Sequence, residues 1–340
     1  MTRESRPPMP LAVRRDHRRP GPVPPSLPVL LVLGILLGGA GCGGERGPEV
    51  VVYCAQDQVH AEPLLAGFTR SSGIRVRALF DSEAVKTVGL ANRLLAERAR
   101  PRADLYWGNE ELRTRQLAAA GVFRASNGWS AFGSRARCLV VHTGRVAPAG
   151  EAPGGGRVAA PRSLVELTNA VWQGRLSLAL PLFGSTATHF LVLRQQWGEP
   201  AWRAWCRALL ANQPFLEDGN SPVVRRVGRG AAWIGLTDTD DVRAGQGQGL
   251  PVAALPAGPG MLALPNTVGR VRGGPHPAEA DRLAAFLLSP AVRQRLEEAG
   301  ALDAPPPGPP WEPAGAGPDW PAVLAGLEDG LRALEEVFHR

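Results

Sequence analysis

The sequence predicts an α/β fold on a mostly parallel sheet, and three observations carry that prediction. Strand-like and helix-like stretches alternate three times between residues 49 and 121, the mark of repeated strand–helix units. The stretch Val50-Val51-Val52-Tyr53-Cys54 is apolar without regular alternation, as a strand covered on both faces is, and Ala103-Asp104-Leu105-Tyr106-Trp107 reads as another strand. Residues 217–241 read as turn, helix, buried strand and second helix start. Gly219-Asn220-Ser221 offers turn and cap chemistry, and Pro222 suits a first helical turn. Val223, Val224 and Val227 share one face, and Thr237-Asp238-Thr239 can cap the next helix. A strand that ends in a helix start is where open α/β sheets bind ligands, because N–H groups and partial positive charge face the crevice there.

The first 41 residues stand apart. Residues 3–19 hold six arginines against Glu4 and Asp16, residues 27–37 form an apolar run broken by Pro28 and Gly34, and Gly38-Gly39-Ala40-Gly41 precedes Cys42. That order is an export signal, too short for a membrane span. Small residues directly before a cysteine resemble the lipobox of bacterial lipoproteins, which implies cleavage before Cys42 and lipid on its sulfur; Gly39 stands where that box usually has leucine. The alternative is a signal anchor with Cys42 unmodified. The formal charge of +7 lies partly in this segment, and no dense basic tract with interleaved aromatics follows Cys42, so nucleic acid is not an expected partner. Lys86 is the sole lysine. Cys54, Cys138 and Cys206 allow at most one disulfide and lie in no metal-type CxxC; buried free thiols are the expectation.

Residues 43–48 are a Gly-rich tether, and the strand at 49–55 ends at Gln56 and Asp57. Leu64, Leu65 and Phe68 set a helix over 60–69 that Gly73 closes; residues 74–80 alternate as a strand. The turn Asp81-Ser82-Glu83 leads to a helix through Leu90, Leu94 and Leu95. Gly108-Asn109-Glu110 ends the strand at 103–107, and a helix over 112–120 stops at Gly121. Residues 135–142 form a strand, 147–162 a Pro/Gly connection, and 163–169 a helix. A strand at 175–180 precedes a helix capped by Ser185 and Thr186, then a helix over 202–210; Trp197, Trp202 and Trp205 belong to the core. Beyond the 217–241 run, 250–265 is extended, 277–288 and 289–300 are helices, 304–319 is a Pro/Gly linker, and 320–338 is one amphipathic helix through Leu324, Leu327, Leu331 and Leu334.

Five pieces in this order resemble one family: Val51-Val52-Tyr53, residues 68–76, residues 103–110, Gly235-Leu236-Thr237-Asp238-Thr239-Asp240-Asp241, and residues 277–296. The chain resembles the substrate-binding proteins of ABC importers, in the ferric-iron-type extracellular branch, over residues 49–301. The resemblance implies a type II periplasmic binding protein fold. In that fold two lobes, each a mostly parallel sheet flanked by helices, are joined by two crossover strands and hold the ligand between them. Lobe 1 would take 49–143 and 255–303, lobe 2 would take 144–254, and a helix at 320–340 would follow the linker. The resemblance further implies a monomer without cofactor or chemistry of its own, anchored by lipid on Cys42 in the periplasm or at the cell exterior. Such a receptor delivers a small molecule or ion to an ABC permease in the inner membrane. Iron-binding members commonly use two adjacent tyrosines at the turn where this chain has Thr237-Asp238-Thr239, and its only tyrosines are Tyr53 and Tyr106.

Two ligand classes stay open. For ferric iron, Asp238, Asp240, Glu83, Glu110 and His189 supply hard oxygen and imidazole donors. For a phosphate ester, phosphonate or carboxylate, Ser185, Thr186, Thr188, Asn220, Ser221 and Thr237 place three helix starts on one rim, with Lys86 and Arg137 in agreement. Ser82, Lys86 and Thr87 would close the site from lobe 1, and Asn109 and Glu110 follow a strand's carboxyl end. Each has a plainer reading: capping turns for Ser82, Thr87, Asn220, Ser221 and Asp238, helix-start acids for Glu110, Asp240 and Asp241, and packing for His189. Two further functions compete. A metal-dependent hydrolase would use His60, His189 and Asp238, but tight His/Asp/Glu spacing and a GxSxG nucleophile are missing. A non-transport sensor would share every feature of the importer receptor.

Overall fold

The computed structural model describes residues 47–80, 86–124, 128–147, 155–255, 258, 260–304 and 317–338, with backbone alone at 86–88. Lobe 1 opens with β1 (Glu49–Cys54), α1 (Gln58–Ser72), β2 (Arg75–Phe80), α2 (Lys86–Ala96), β3 (Leu105–Gly108) and α3 (Glu111–Ala119). The long β4 (Trp129–His142) leads out, and β5 (Val146–Ala147) pairs with β6 (Val158–Ala159) in a separate ribbon. Lobe 2 holds β7 (Leu176–Ala179), α4 (Gly184–Trp197), α5 (Glu199–Ala211), β8 (Phe215–Glu217), α6 (Asn220–Gly228), β9 (Ile234–Asp238), α7 (Thr239–Gly247) and β10 (Val252–Ala254). The chain returns through β11 (Ala263–Arg270) to α8 (Pro277–Leu287) and α9 (Pro290–Glu298), then ends in α10 (Trp320–Ala325) and α11 (Leu327–Phe338).

The sheet order is β2-β1-β3-β11-β4-β9-β7-β8, with β10 also on β4. β1 runs parallel to β2 and β3, and β7 runs parallel to β8 and β9. The strands that join these halves are antiparallel to their neighbours. β4 spans both halves: residues 129–136 pair with β11, and residues 137–141 pair with β9. β10 and β11 run back beside it. The sequence expectation began this strand only at Arg135. Its first half, Trp129-Ser130-Ala131-Phe132-Gly133-Ser134, has no apolar run to announce it, and neighbouring strands rather than local propensity define it.

Successive residues of β1 feed opposite faces. Val50, Val52 and Cys54 pack with Leu64, Leu65 and Phe68 of α1 and Leu283 and Leu287 of α8. Tyr53 packs with Leu90, Leu94, Tyr106 and Leu117 on the other face. Two covered faces explain why the strand lacks alternation. In lobe 2, Leu176, Leu178, Ile234 and Leu236 meet Phe190, Trp202 and Trp205, and Val140, Val223, Val224 and Val227 fill the opposite face. Each such fully buried large side chain contributes about 1.5–3 kcal/mol. Cys54, Cys138 and Cys206 are buried thiols outside any disulfide.

Two local expectations are corrected. Residues 163–169 hold 3-10 turns rather than an α-helix. The terminal helix is broken into α10 and α11 at Gly326, the C-cap of α10. Trp320, Leu334 and Phe338 of the two pieces join the lobe 2 core. Among the described residues no helix is long and apolar enough to cross a membrane.

Candidate functional site

The parallel strands of both lobes aim their carboxyl ends at one crevice. Its cavity is lined from lobe 1 by Asp57, after β1, and Asn109, after β3; from β4 by Arg135; and from lobe 2 by Ser185 and Thr186 of α4, Gly219 and Asn220 at α6, and Asp238, Asp240 and Asp241 at α7. It encloses about 70 Å3, room for an ion with several waters. Two glycines place the lobe 2 wall. Gly184 opens α4 at φ 58, a left-handed backbone that a side chain would strain. A Cβ on Gly235 would meet Val223 Cγ1 at 2.5 Å, so glycine there lets α6 lie on β9 and bring Asn220 to the crevice.

Asp238 is the centre of the lobe 2 wall. Its Oδ1 accepts from Arg137 Nη1 at 2.5 Å; its Oδ2 accepts from Ser185 Oγ at 2.8 Å, Asn220 Nδ2 at 3.0 Å and Arg135 Nε at 3.4 Å. Burial alone would raise its pKa, but Arg137, Arg135 and the Ser185 hydroxyl outweigh burial and hold it below the usual carboxylate range. This network corrects the expected caps. The N-caps of α4, α6 and α7 are Phe183, Gly219 and Asp238, and none makes a side-chain cap bond. The polar groups expected to cap these helices turn to one another instead: Thr186 donates to Asn220 Oδ1 at 3.3 Å, and Arg137 Nη1 donates to the same oxygen at 3.1 Å.

The carboxylates of Asp238, Asp240 and Asp241 offer oxygens that all lie within 4.8 Å of one another. Burial pushes Asp240 up to about 7; Arg135 opposes that shift, and Asp238 and Asp57 add to it. Burial, then Asp240 and Asp238, push Asp241 well above the usual range, although it accepts from Ser221 Oγ at 2.5 Å. Arg135 is the nearby counter-charge. Its Nε lies 3.2 Å from Asp240 Oδ2, and its Nη1 donates to the Asn109 carbonyl at 2.7 Å. It therefore ties the acidic wall to the lobe 1 wall.

The other candidates fall elsewhere. Ser82 and Glu83 lie outside the described residues, as do the side chains of Lys86 and Thr87 in the first turn of α2. Glu110, 1% exposed, caps α3 by accepting from the Leu112 and Arg113 amides and also accepts from Thr188 Oγ1 at 3.0 Å. These two residues face each other across the lobes and do not line the cavity. Burial raises the Glu110 pKa against Arg113 and the amide hydrogen bonds. Thr237 is buried and donates to the Asn220 carbonyl at 3.3 Å. His189 is sealed from solvent: its Nε2 meets the Gly260 carbonyl at 2.6 Å and its Nδ1 meets Arg137 Nε at 3.5 Å. Burial and Arg137 lower its pKa to about 3, so the ring is neutral, donates from Nε2 and accepts at Nδ1. Neither His60 nor His189 lines the cavity, which leaves the hydrolase grouping unassembled. Sequence reasoning did not assign Asp57 and Arg135 to the site; the carboxyl end of β1 and the middle of β4 bring them there.

Residues 50–302 match the family described as bacterial extracellular solute-binding protein. Among solved structures, iron-bound HitA from Pseudomonas aeruginosa superposes with a TM-score of 0.70 at 20% identity, covering 85% of this chain and 99% of that one. AfuA from Actinobacillus pleuropneumoniae, with exogenous fructose-6-phosphate bound, gives 0.70 at 16% identity over 86% and 99%. Ferric iron-binding protein A from Mannheimia haemolytica, in an open conformation, gives 0.62 at 19% identity over 85% and 98%. At these identities the likeness is one of fold, the two-lobed type II periplasmic binding protein fold. Sequence comparison with curated proteins gave no match. With a two-lobed fold, a polar crevice between the lobes and a family match across both, the chain belongs to the bacterial extracellular solute-binding proteins.

Proposed function

We propose that this chain is the substrate-binding component of an ABC importer, anchored by lipid on Cys42 outside the inner membrane, and that it captures a small hard cation, ferric iron foremost, for the permease. The observation that carries the ligand class is the crowding of three carboxylates within 4.8 Å beside Asp57. Hard anionic oxygens suit hard cations. Asp240 and Asp241, whose pKa values are raised, are groups that a cation would ionise. Asp238, already saturated by Arg137, Ser185 and Asn220, positions the cluster. Asp57 and Asn109 would close on the cation from lobe 1, and binding energy would be spent on lobe closure.

A small oxyanion such as a phosphate ester, phosphonate or carboxylate is the second reading. It is favoured by the α4 and α6 starts at the cavity, and the AfuA neighbour is a fructose-6-phosphate complex. It ranks second because the Asp238 carboxylate already occupies the place where Ser185, Asn220 and Arg137 converge. Thermal melts of purified chain with ferric citrate, citrate alone, fructose 6-phosphate and a phosphonate test the choice. A ligand at 100-fold its Kd stabilises by about 2.7 kcal/mol. The cation reading expects a rise with ferric citrate beyond that with citrate alone; a rise with a phosphate ester and none with iron contradicts it.

A further inference from the structure

We propose that the end of lobe 1 opposite the crevice is a contact surface for anionic lipid headgroups, an inference that rests on the reading of Cys42 as the lipid-bearing residue. Parallel strands set this end. The Arg75 amide donates to the Pro48 carbonyl at 2.8 Å, the Asp104 amide to Val51 O at 2.9 Å, and the Val271 amide to Asp104 O at 2.9 Å. The starts of β1, β2 and β3 and the finish of β11 therefore lie together, and Gly47, where the described chain begins, lies with them.

Basic and acidic side chains nearly balance from Gly47 onward, but this end carries a local excess of arginine. Arg70, Arg98, Arg100, Arg102 and Arg272 are exposed. Of these, Arg98 and Arg272 donate to the carbonyls of Ala120 and Phe123, which orient a guanidinium without cancelling its charge. Most of the nearby acids are engaged: Glu49 with Arg75 and Arg77, Glu97 with Arg93, Asp281 with Arg124 and Arg270, and buried Asp104 with the Val51 amide and His276. Glu279, in the first turn of α8, lies outside these pairs and offsets one of the five exposed arginines, so a surplus of positive charge remains.

Position selects the partner. The five peptide links from Cys42 to Gly47 span at most about 18 Å, so a lipid on Cys42 brings this end of the lobe close to the bilayer. An anionic surface attracts arginines over a Debye length of about 10 Å at 0.1 M salt, and guanidinium groups pair well with phosphate. Lipid plus a basic patch is a two-part membrane anchor.

The test uses the mature chain from residue 42, which contains every described residue, with Cys42→Ser to remove the lipid. Cosedimentation is measured with phosphatidylglycerol/phosphatidylcholine vesicles and with phosphatidylcholine alone. Binding is expected only to the anionic vesicles, with loss at 0.5 M salt. The variant R70Q/R100Q/R102Q/R272Q should bind at least about tenfold more weakly. The variant R207Q/R225Q/R229Q/R295Q, with the same charge change at exposed arginines elsewhere, should lose less than about threefold. Equal binding to both vesicle types, or equal losses in the two variants, overturns the proposal. A Cys42 peptide from cells without acyl mass overturns the anchor reading separately, and the vesicle comparison then decides the basic end by itself.

Discussion

The two walls of the crevice are built differently. Lobe 2 presents three helix starts whose polar side chains are locked into one network around Asp238, with Ser185, Asn220 and Arg137 each within 3.0 Å of a carboxylate oxygen. Lobe 1 presents Asp57 and Asn109 at two strand ends, with Arg135 as a link to the other wall and Glu110 meeting Thr188 outside the cavity. The difference separates two tasks. A wall fixed by its own hydrogen bonds can hold a ligand before closure, while a sparse wall adds contacts only when the lobes meet.

The sharpest way to break this contrast is Asp238→Ala. Arg137 would be left buried without its carboxylate, a loss of about 3–5 kcal/mol, read by urea denaturation. A drop below 1 kcal/mol would show that the lobe 2 wall is not held by this pair. Next comes the acidic cluster. D240N/D241N should lower affinity for a hard cation about 100-fold, with the fold intact by circular dichroism.

The same two residues predict a pH effect whose sign follows from burial. Both favour the protonated form in the folded state. Ligand-free stability should therefore fall as pH rises from the unfolded carboxylate range near 4 through Asp240's value of about 7. Melts from pH 5 to pH 8 check this, and D240N/D241N should flatten the decline. A smaller effect is expected where the lobes touch. Glu110→Gln weakens the α3 cap and the Thr188 contact, costing about 1–2 kcal/mol while leaving cation affinity within about threefold. The smallest belongs to lobe 1: Asn109→Ala should change affinity by less than about tenfold, since the Arg135 bond uses the Asn109 carbonyl, which survives the substitution.

The sequence showed the lobe 2 wall better than the lobe 1 wall. Runs such as Gly219-Asn220-Ser221 and Thr237-Asp238-Thr239 are local signals, and three helix starts do converge where they were expected. What those residues do there was hidden, because Asp238 meets Arg137, Ser185 and Asn220 from three other elements. A cap and a network hub carry the same sequence signature. Arg135 was read as the first residue of a strand, and its role was hidden because only pairing with β11 extends that strand back to Trp129 and sets Arg135 at mid-strand beside the crevice. The covered strands β1 and β3 were legible because their apolar runs need no partner to be seen. The break at Gly326 was not, because Leu324, Leu327, Leu331 and Leu334 keep helical spacing through it.

Calorimetric titration of the purified chain with chelated ferric iron, in two buffers of different ionisation enthalpy, tests the central claim most directly. The account predicts saturable binding at one site, release of about one to two protons near pH 7 as Asp240 and Asp241 ionise, and loss of that release in D240N/D241N. Iron binding of equal strength in the double variant, with the proton release unchanged, would contradict it.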